Sequence, residues 1–135
     1  MTLTNEMLEA HPGPPHLDRD LLVRCIDECL ACLQSCTACA DACLAEDDVA
    51  EMRACITRCR NCADVCAATA RMLSRQTEYV AATARAQVAA CRELCANCAE
   101  ECERHASHHE HCRLCAEQCR RCEAACSALM DAIPD

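Results

Sequence analysis

The cysteines of this chain occupy the positions that apolar side chains usually hold on the packed face of a helix. They fall into four groups, and within each group the steps between successive cysteines alternate between four and three residues. In an α-helix this spacing places all members on one face, the a/d seam that Leu, Ile or Val lines in a helical bundle. The pattern therefore predicts four helices whose buried face is sulfur. The groups are Cys25, Cys29, Cys32, Cys36, Cys39 and Cys43; Cys55, Cys59, Cys62 and Cys66; Cys91, Cys95, Cys98 and Cys102; and Cys112, Cys115, Cys119, Cys122 and Cys126.

Capping signals between the groups set the limits of the predicted helices, which cover about 17–45, 49–73, 77–105 and 107–133. Asp18 is the expected N-cap of the first. Asp48 with Glu51, and Ser107 with Glu110, have the spacing of a capping box at the starts of the second and fourth. Because the connections are short, neighbouring helices should be antiparallel. The fold class is thus an all-α, up-down-up-down four-helix bundle with a cysteine-lined core.

The division of the chain follows its glycine and proline residues. Residues 16–133 contain neither, which excludes most all-β folds, because those need turn residues every few positions. Residues 17–133 are therefore expected to form the bundle. Residues 1–16 form an N-terminal leader, in which Leu3, Met7 and Leu8 share one face of a short predicted helix. The segment from His11 to His16 holds the glycine and three of the four prolines, and it separates that helix from the bundle.

Composition narrows the classes of function. The chain has 22 acidic and 13 basic residues, a formal net charge of −9, and Tyr79 as its one aromatic residue. A nucleic-acid-binding protein needs a basic face and usually aromatic side chains for stacking, so no nucleic-acid partner is expected. The spacing C-x-x-C occurs six times and so singles out no redox pair, and no catalytic constellation accompanies it. We therefore expect no enzymatic activity.

The first residues lack the basic and apolar segments of an export signal, and no apolar run has the length of a membrane span. We therefore expect a cytoplasmic protein with no membrane partner. Thiols stay reduced in that compartment, and the odd number of cysteines, 19, leaves one unpaired in any intramolecular disulfide scheme. A cysteine-dense chain there more often binds metal than forms a disulfide framework.

A core of thiolates selects soft metals, namely Cu(I), Zn(II) or iron–sulfur clusters. Several zinc ions, each with four thiolates, would bury a large uncompensated negative charge, and the spacings of iron–sulfur ferredoxins are different. Cu(I) is singly charged and accepts two or three sulfurs, so bridging thiolates can hold about one ion each near neutrality. A purely structural cysteine core is disfavoured, because a larger apolar side chain would add about 0.8 kcal/mol for each extra CH₂. The pattern therefore favours multiple Cu(I) ions per chain.

Extending each cysteine seam beyond its last cysteine predicts two different ends of the bundle. One end, the closed end, should be an apolar plug of Leu22, Thr69, Leu73, Ala84, Val88, Leu129 and Ile133. The other end, the mouth, receives Glu46, Met52, His105 and His108. We predict His105 and His108 as metal ligands there, with Met52, His109 and His111 as further candidates. His11 and His16 lie in the leader, outside the predicted site. The charged residues off the seam, Arg58 and Glu101 among them, are expected on a solvated face.

In these features the chain resembles the bacterial copper storage proteins, and within them the branch without an export signal. The resemblance covers about residues 17–130 and rests on the C-x₃-C-x₂-C repeats along four helices with histidines at one end. It implies a homotetramer of four-helix bundles, each storing many Cu(I) ions along its core. By position it makes every cysteine of the four groups a metal ligand and suggests that the metal enters past His105 and His108.

The sequence therefore predicts a cytoplasmic protein that stores and buffers Cu(I), which would enter at the His/Met end of the bundle. Two alternatives remain: a zinc or mixed-metal thiol buffer, and a copper donor to a partner, either a copper chaperone or a cuproenzyme. A thiol redox enzyme is a third alternative from another class, and it would need one cysteine with a strongly depressed pKa.

Overall fold

The protein is a four-helix bundle preceded by a short helix. The structure is a computed structural model that describes residues 2–134, and it contains no strand among them. Its elements are α1 (Leu3–Ala10), α2 (Arg19–Leu44), a 3-10 turn (Val49–Met52), α3 (Arg53–Ser74), α4 (Ala81–His105) and α5 (Glu110–Asp131). The all-α bundle and the short N-terminal helix are as predicted. Within the same residues, no helix is both long enough and apolar enough to cross a membrane.

The sulfur contacts show that neighbouring helices are antiparallel. Cysteines taken from the start to the end of α2 contact cysteines taken from the end to the start of α5. The cysteines of α3 and α4 are paired in the same way. The Sγ–Sγ distances lie between 3.6 and 4.0 Å for Cys25–Cys126, Cys29–Cys122, Cys32–Cys119, Cys36–Cys115 and Cys39–Cys112, and for Cys55–Cys102, Cys59–Cys98, Cys62–Cys95 and Cys66–Cys91. The up-down-up-down arrangement therefore places the ends of α2 and α4 beside the starts of α3 and α5.

Of the caps predicted for α2 and α3, the one at Asp18 is confirmed and the one at Asp48 is wrong. The Asp18 carboxylate accepts a hydrogen bond from the Leu21 N–H at 3.0 Å and so caps α2. Asp48 caps nothing, because the 3-10 turn precedes α3 and gives the chain a tighter start there. Its carboxylate instead accepts from Nε2 of His109 at 3.1 Å.

The predicted starts of the last two helices are also displaced. The predicted Ser107 cap is wrong, because the His108 and His109 N–H groups still bond to the His105 carbonyl oxygen. The chain thus completes a turn at the end of α4 before α5 begins at Glu110. The preceding helix α4 begins at residue 81 rather than 77, because Glu78 has a φ of 58°, in the left-handed region that a right-handed helix cannot include.

The closed end is built as predicted from side chains that exclude water. Leu22, Thr69, Val88 and Leu129 are fully buried, and Leu73, Ala84 and Ile133 nearly so. Thr69 is the polar member. Its hydroxyl donates to the Val65 carbonyl oxygen at 2.7 Å and accepts from Gln87 Nε2 at 2.9 Å, so its burial leaves no hydrogen bond unmade.

This packing predicts that the closed end carries much of the stability of the metal-free bundle. We expect Leu22→Ala to lower the free energy of unfolding by about 2–5 kcal/mol, the range for a buried leucine that leaves a cavity. Urea denaturation of the reduced, metal-free protein measures it. Leu114→Ala is the control, since Leu114 is 52% exposed, and it should change stability by no more than about 0.5 kcal/mol. Equal effects of the two variants would contradict the assignment of the plug.

Candidate metal centre

The interior of the bundle is a continuous array of reduced thiols. All 19 cysteines are free and buried, and none is more than 1% exposed. Each helix supplies its share because the a/d positions of all four helices point to the same axis. The array extends along α2 from Cys25 to Cys43, a length of about 27 Å at 1.5 Å per residue.

The thiols form overlapping groups of four. In each group, the ligand atoms all lie within 4.8 Å of one another. Successive groups share cysteines, so a thiolate that binds a metal in one group is also within reach of the next. Among these groups are Cys29, Cys66, Cys91 and Cys122; Cys32, Cys66, Cys95 and Cys122; Cys32, Cys36, Cys62 and Cys119; and Cys36, Cys98, Cys115 and Cys119.

The spacing of the sulfurs suits metal coordination without rearrangement of the backbone. With metal–sulfur bonds of about 2.3 Å, trigonal or tetrahedral coordination places sulfurs roughly 3.8–4.0 Å apart. Many neighbouring sulfurs in the bundle are already at such distances, as Cys36 is with Cys98 at 3.9 Å and with Cys32 at 3.8 Å. Small side-chain rotations therefore suffice to bring three or four sulfurs onto one ion.

The thiol protons are part of the chemistry of this array. Burial raises the pKa of the Cys43 thiol, because the charged thiolate is poorly solvated inside the bundle. At neutral pH this group is a neutral thiol, and a metal that binds it displaces its proton. Binding a singly charged ion in place of one proton leaves the charge of the core unchanged.

His111 is the histidine that the structure brings among the thiols. Its Nδ1 lies 3.4 Å from Cys39 Sγ and 3.6 Å from Cys112 Sγ. These three residues and Cys43 form a further group whose ligand atoms lie within 4.8 Å of one another. Burial opposes the charged ring, but hydrogen bonds to Cys39, when that residue is a thiolate, and to Glu46 outweigh it and raise the pKa of His111. The mouth therefore ends in a mixed sulfur and nitrogen site.

A carboxylate network covers this mixed site. Glu46 Oε2 lies 2.8 Å from His111 Nε2 and 2.6 Å from His109 Nδ1. The second nitrogen of His109 lies 3.1 Å from Asp48 Oδ2. Both nitrogens of His109 thus face carboxylate oxygens, and its ring stacks on that of His111 with 5.5 Å between centroids. These contacts fix the His109 ring within the carboxylate network.

His105 lies at the mouth in a different environment. Its Nε2 is 2.9 Å from Glu101 Oε2, while Arg104 and Arg58 contact the other oxygen of that carboxylate at 3.0 and 3.4 Å. Glu101 is only 5% exposed, so the expectation that it belongs to a solvated face is wrong. Its burial is explained by these three cationic or hydrogen-bonding partners, which compensate its charge.

The remaining histidines and Met52 do not lie together in the bundle. The His108 side chain is exposed beside the turn that follows α4, and Met52 is fully buried in the 3-10 turn. His11 and His16 attach the leader to the opposite end of the bundle. His11 Nε2 lies 3.3 Å from Thr77 Oγ1, and the His16 ring stacks on that of Tyr79 with 5.1 Å between centroids.

The contact of His111 with the thiols and the burial of Glu101 were not evident from their sequence positions. The extension of the seam from Cys112 leads to His108, but α5 begins only at Glu110, so residue 108 has left the helical register. His111 lies in the first turn of α5, where the Cα–Cβ bond tilts toward the helix N-terminus and thus toward the mouth. The signal that could have identified it is its place directly beside Cys112, facing the acidic residues of the α2–α3 connection.

Comparisons with known proteins agree with this geometry. The model of the copper storage protein family matches residues 18–131. The structure of the copper storage protein Ccsp from Streptomyces lividans, loaded with 10 copper equivalents, superposes with a TM-score of 0.94 at 52% identity, covering 96% of this chain and 98% of that chain. A histidine-to-alanine variant of Streptomyces lividans Ccsp gives 0.87 at 54% identity, covering 87% and 98%. The cytosolic copper storage protein from Streptomyces lividans with five coppers gives 0.84 at 55% identity, covering 85% and 96%. A search of curated proteins finds no match.

The burial of the thiols predicts slow and uniform chemical reactivity in the metal-free protein. We expect iodoacetamide to alkylate all cysteines slowly in the folded state, because each thiol has to wait for an opening of the bundle. Mass spectrometry of peptides after timed, anaerobic alkylation measures the rate at each cysteine, with the urea-unfolded protein as the reference for full reactivity. A single cysteine that reacts at the unfolded rate would support the thiol redox alternative.

Proposed function

This chain belongs to the copper storage protein family, and from that premise we propose that it stores copper as Cu(I) on the cysteines of all four groups. It is a copper storage protein, with many copper ions bound per chain. The observation that supports the proposed ligands best is the chain of overlapping four-thiol groups along the core. Shared cysteines act as bridges, so the number of ions can approach the number of thiolates.

The charges in the core favour Cu(I) over Zn(II). The buried polar and charged side chains are Thr69, Gln76, Glu101 and Gln118, so within residues 2–134 no buried lysine or arginine offsets an anionic metal site. A zinc ion with four thiolates carries a net charge of −2, and several such sites would leave much uncompensated charge in the bundle. Cu(I) that replaces thiol protons one for one adds no net charge. The zinc or mixed-metal buffer therefore remains the second candidate.

The uptake route we propose begins at the mouth. His111, Cys39, Cys43 and Cys112 are the first site, because they combine soft ligands with partial access to solvent at the histidine. From there an ion moves inward along the array of thiols, in which neighbouring interior groups share cysteines. His105 and His108 are proposed to contribute at the rim, as are Met52 and His109 in supporting positions. The closed end gives the route a single direction, since its plug excludes water.

Further parts of the proposal follow from the relatives and from the chain itself. We place residues 17–133 as the copper-binding unit and residues 1–16 as a leader, whose described residues 2–16 contact α2 and the chain beside the closed end. The relative of known structure that is described as cytosolic supports a cytoplasmic location for this chain as well. We further propose a homotetramer without catalytic activity, which exchanges copper with a chaperone or a cuproenzyme.

Anaerobic titration with Cu(I) tests the proposed function. We expect saturation near 19 equivalents per chain, the number of cysteines, with a helical circular dichroism spectrum before and after loading. Zinc should compete poorly for the loaded core. Saturation by zinc at about four or five tetrathiolate sites, without preference for Cu(I), would instead establish the zinc buffer.

The mouth site predicts that His111→Ala slows loading and leaves capacity almost intact. We expect the first phase of Cu(I) binding to slow by about tenfold or more, since even indirect support of a metal ligand is worth 10–100-fold. Anaerobic stopped-flow absorbance of the copper–thiolate bands follows this phase. His16→Ala is the matched control at the closed end and should load like the parent chain. A comparable slowing in His108→Ala with none in His111→Ala would assign the mouth to His108.

A further inference from the structure

We propose that Glu46 is the positioning residue of the mouth: it fixes the imidazole of His111 so that Nδ1, unprotonated, faces the thiols of Cys39 and Cys112. The inference rests on the proposed function, because it takes His111 to be a ligand of the first site. It adds a residue outside the cysteine seam, in the connection between α2 and α3, that acts on the metal only through the histidine.

The two nitrogens of His111 face different groups, because Nε2 faces a carboxylate, which only accepts hydrogen bonds when ionised, and Nδ1 faces thiols, which both donate and accept. Nε2 lies 2.8 Å from Glu46 Oε2, whereas Nδ1 lies 3.4 Å from Cys39 Sγ and 3.6 Å from Cys112 Sγ. An ionised carboxylate only accepts hydrogen bonds, so the neutral ring keeps its proton on Nε2. The lone pair of Nδ1 is then directed at the group that a metal ion would join. Hydrogen bonding of the distal ring nitrogen to a carboxylate is a common way to orient a metal-binding histidine.

Glu46 is itself held in place from two sides. Its backbone N–H donates to the carbonyl oxygen of Cys43 at 3.3 Å, which ties it to a member of the same thiol group. Its Oε2 also contacts Nδ1 of His109 at 2.6 Å, and the far nitrogen of His109 contacts Asp48 at 3.1 Å. One carboxylate oxygen thus serves both histidines, and the network fixes the connection between α2 and α3 over the start of α5.

Two other roles for Glu46 are less consistent with these contacts. Direct ligation is disfavoured, because a carboxylate oxygen is a hard ligand and Cu(I) selects soft ones. A general attraction of cations by negative charge would be shared with Asp47, which is the next residue and is exposed. Asp47 therefore provides a matched control, since removing it changes the charge of the same connection without touching either histidine ring.

The experiment compares Glu46→Ala, Glu46→Gln, Asp47→Ala and His111→Ala in the full chain. Long-range ¹H–¹⁵N spectra of the metal-free protein report the tautomer of His111, and anaerobic stopped-flow with Cu(I) in acetonitrile reports the first loading phase. In Glu46→Ala we expect a mixture of tautomers and a loading phase about tenfold slower. Glu46→Gln should restore both in part, because its amide oxygen accepts the same hydrogen bond. Total copper capacity and the helical spectrum should not change.

The outcomes separate this inference from the proposed function. If His111→Ala slows loading while Glu46→Ala leaves the tautomer and the rate unchanged, the positioning role is wrong and the proposed first site stands. If Asp47→Ala slows loading as much as Glu46→Ala, the effect is one of charge, and the positioning role is again wrong. If His111→Ala itself has no effect on loading, the proposed first site fails and the inference fails with it. Should Glu46→Ala not fold, Glu46→Gln against Asp47→Ala carries the same comparison.

Discussion

The fixed spacing of sulfurs across four straight helices is the constraint on which the rest of this protein depends. Because cysteines alternate at steps of four and three, each helix presents an unbroken row of thiols to the axis. Antiparallel pairing brings the Sγ atoms of facing rows to within 3.6–4.0 Å of one another. Such distances are close to those within a metal–thiolate site. The backbone is ordered by its own helical hydrogen bonds, so the thiols are in position before a metal arrives, and binding loses little conformational entropy.

A core of this kind gives up part of the usual stabilisation by burial. Cysteine is smaller than leucine, and each missing CH₂ forgoes about 0.8 kcal/mol. The large apolar side chains of Leu22, Val88 and Leu129 are buried at the closed end, beyond the last cysteines of the array. Alanine occupies further buried positions, as at Ala99 and Ala125. Copper adds to the free energy of unfolding to the extent that it binds the folded array more tightly than the thiols of the unfolded chain.

The fold was predictable from the sequence because one periodic signal determined it. The spacing of the cysteines identified the helices, their buried faces and the two ends, and Asp18 supplied a correct start for α2. The helix ends were less predictable, because Asp48 and Ser107 have the spacing of capping residues although tertiary contacts and a 3-10 turn decide otherwise. The roles at the mouth depended on that irregular backbone: the seam pointed to His108, while His111 contacts the thiols. The burial of Glu101 had no periodic signal, since it follows from contacts between α3 and α4.

The two ends of the array differ in the way they treat polar groups, and this difference gives the bundle its direction. At the closed end the Thr69 hydroxyl donates to the Val65 carbonyl oxygen and accepts from Gln87 Nε2, so the polar side chain of the plug is hydrogen-bonded within the protein. At the mouth the carboxylate of Glu46 contacts His111 and that of Glu101 contacts His105. These contacts orient imidazole rings at the end of the bundle opposite the plug. The proposed route therefore starts at the end of the array where imidazole and thiol groups lie together. Under the proposed route, the interior groups share cysteines, so an ion that has passed the mouth would exchange one sulfur for another without returning to water.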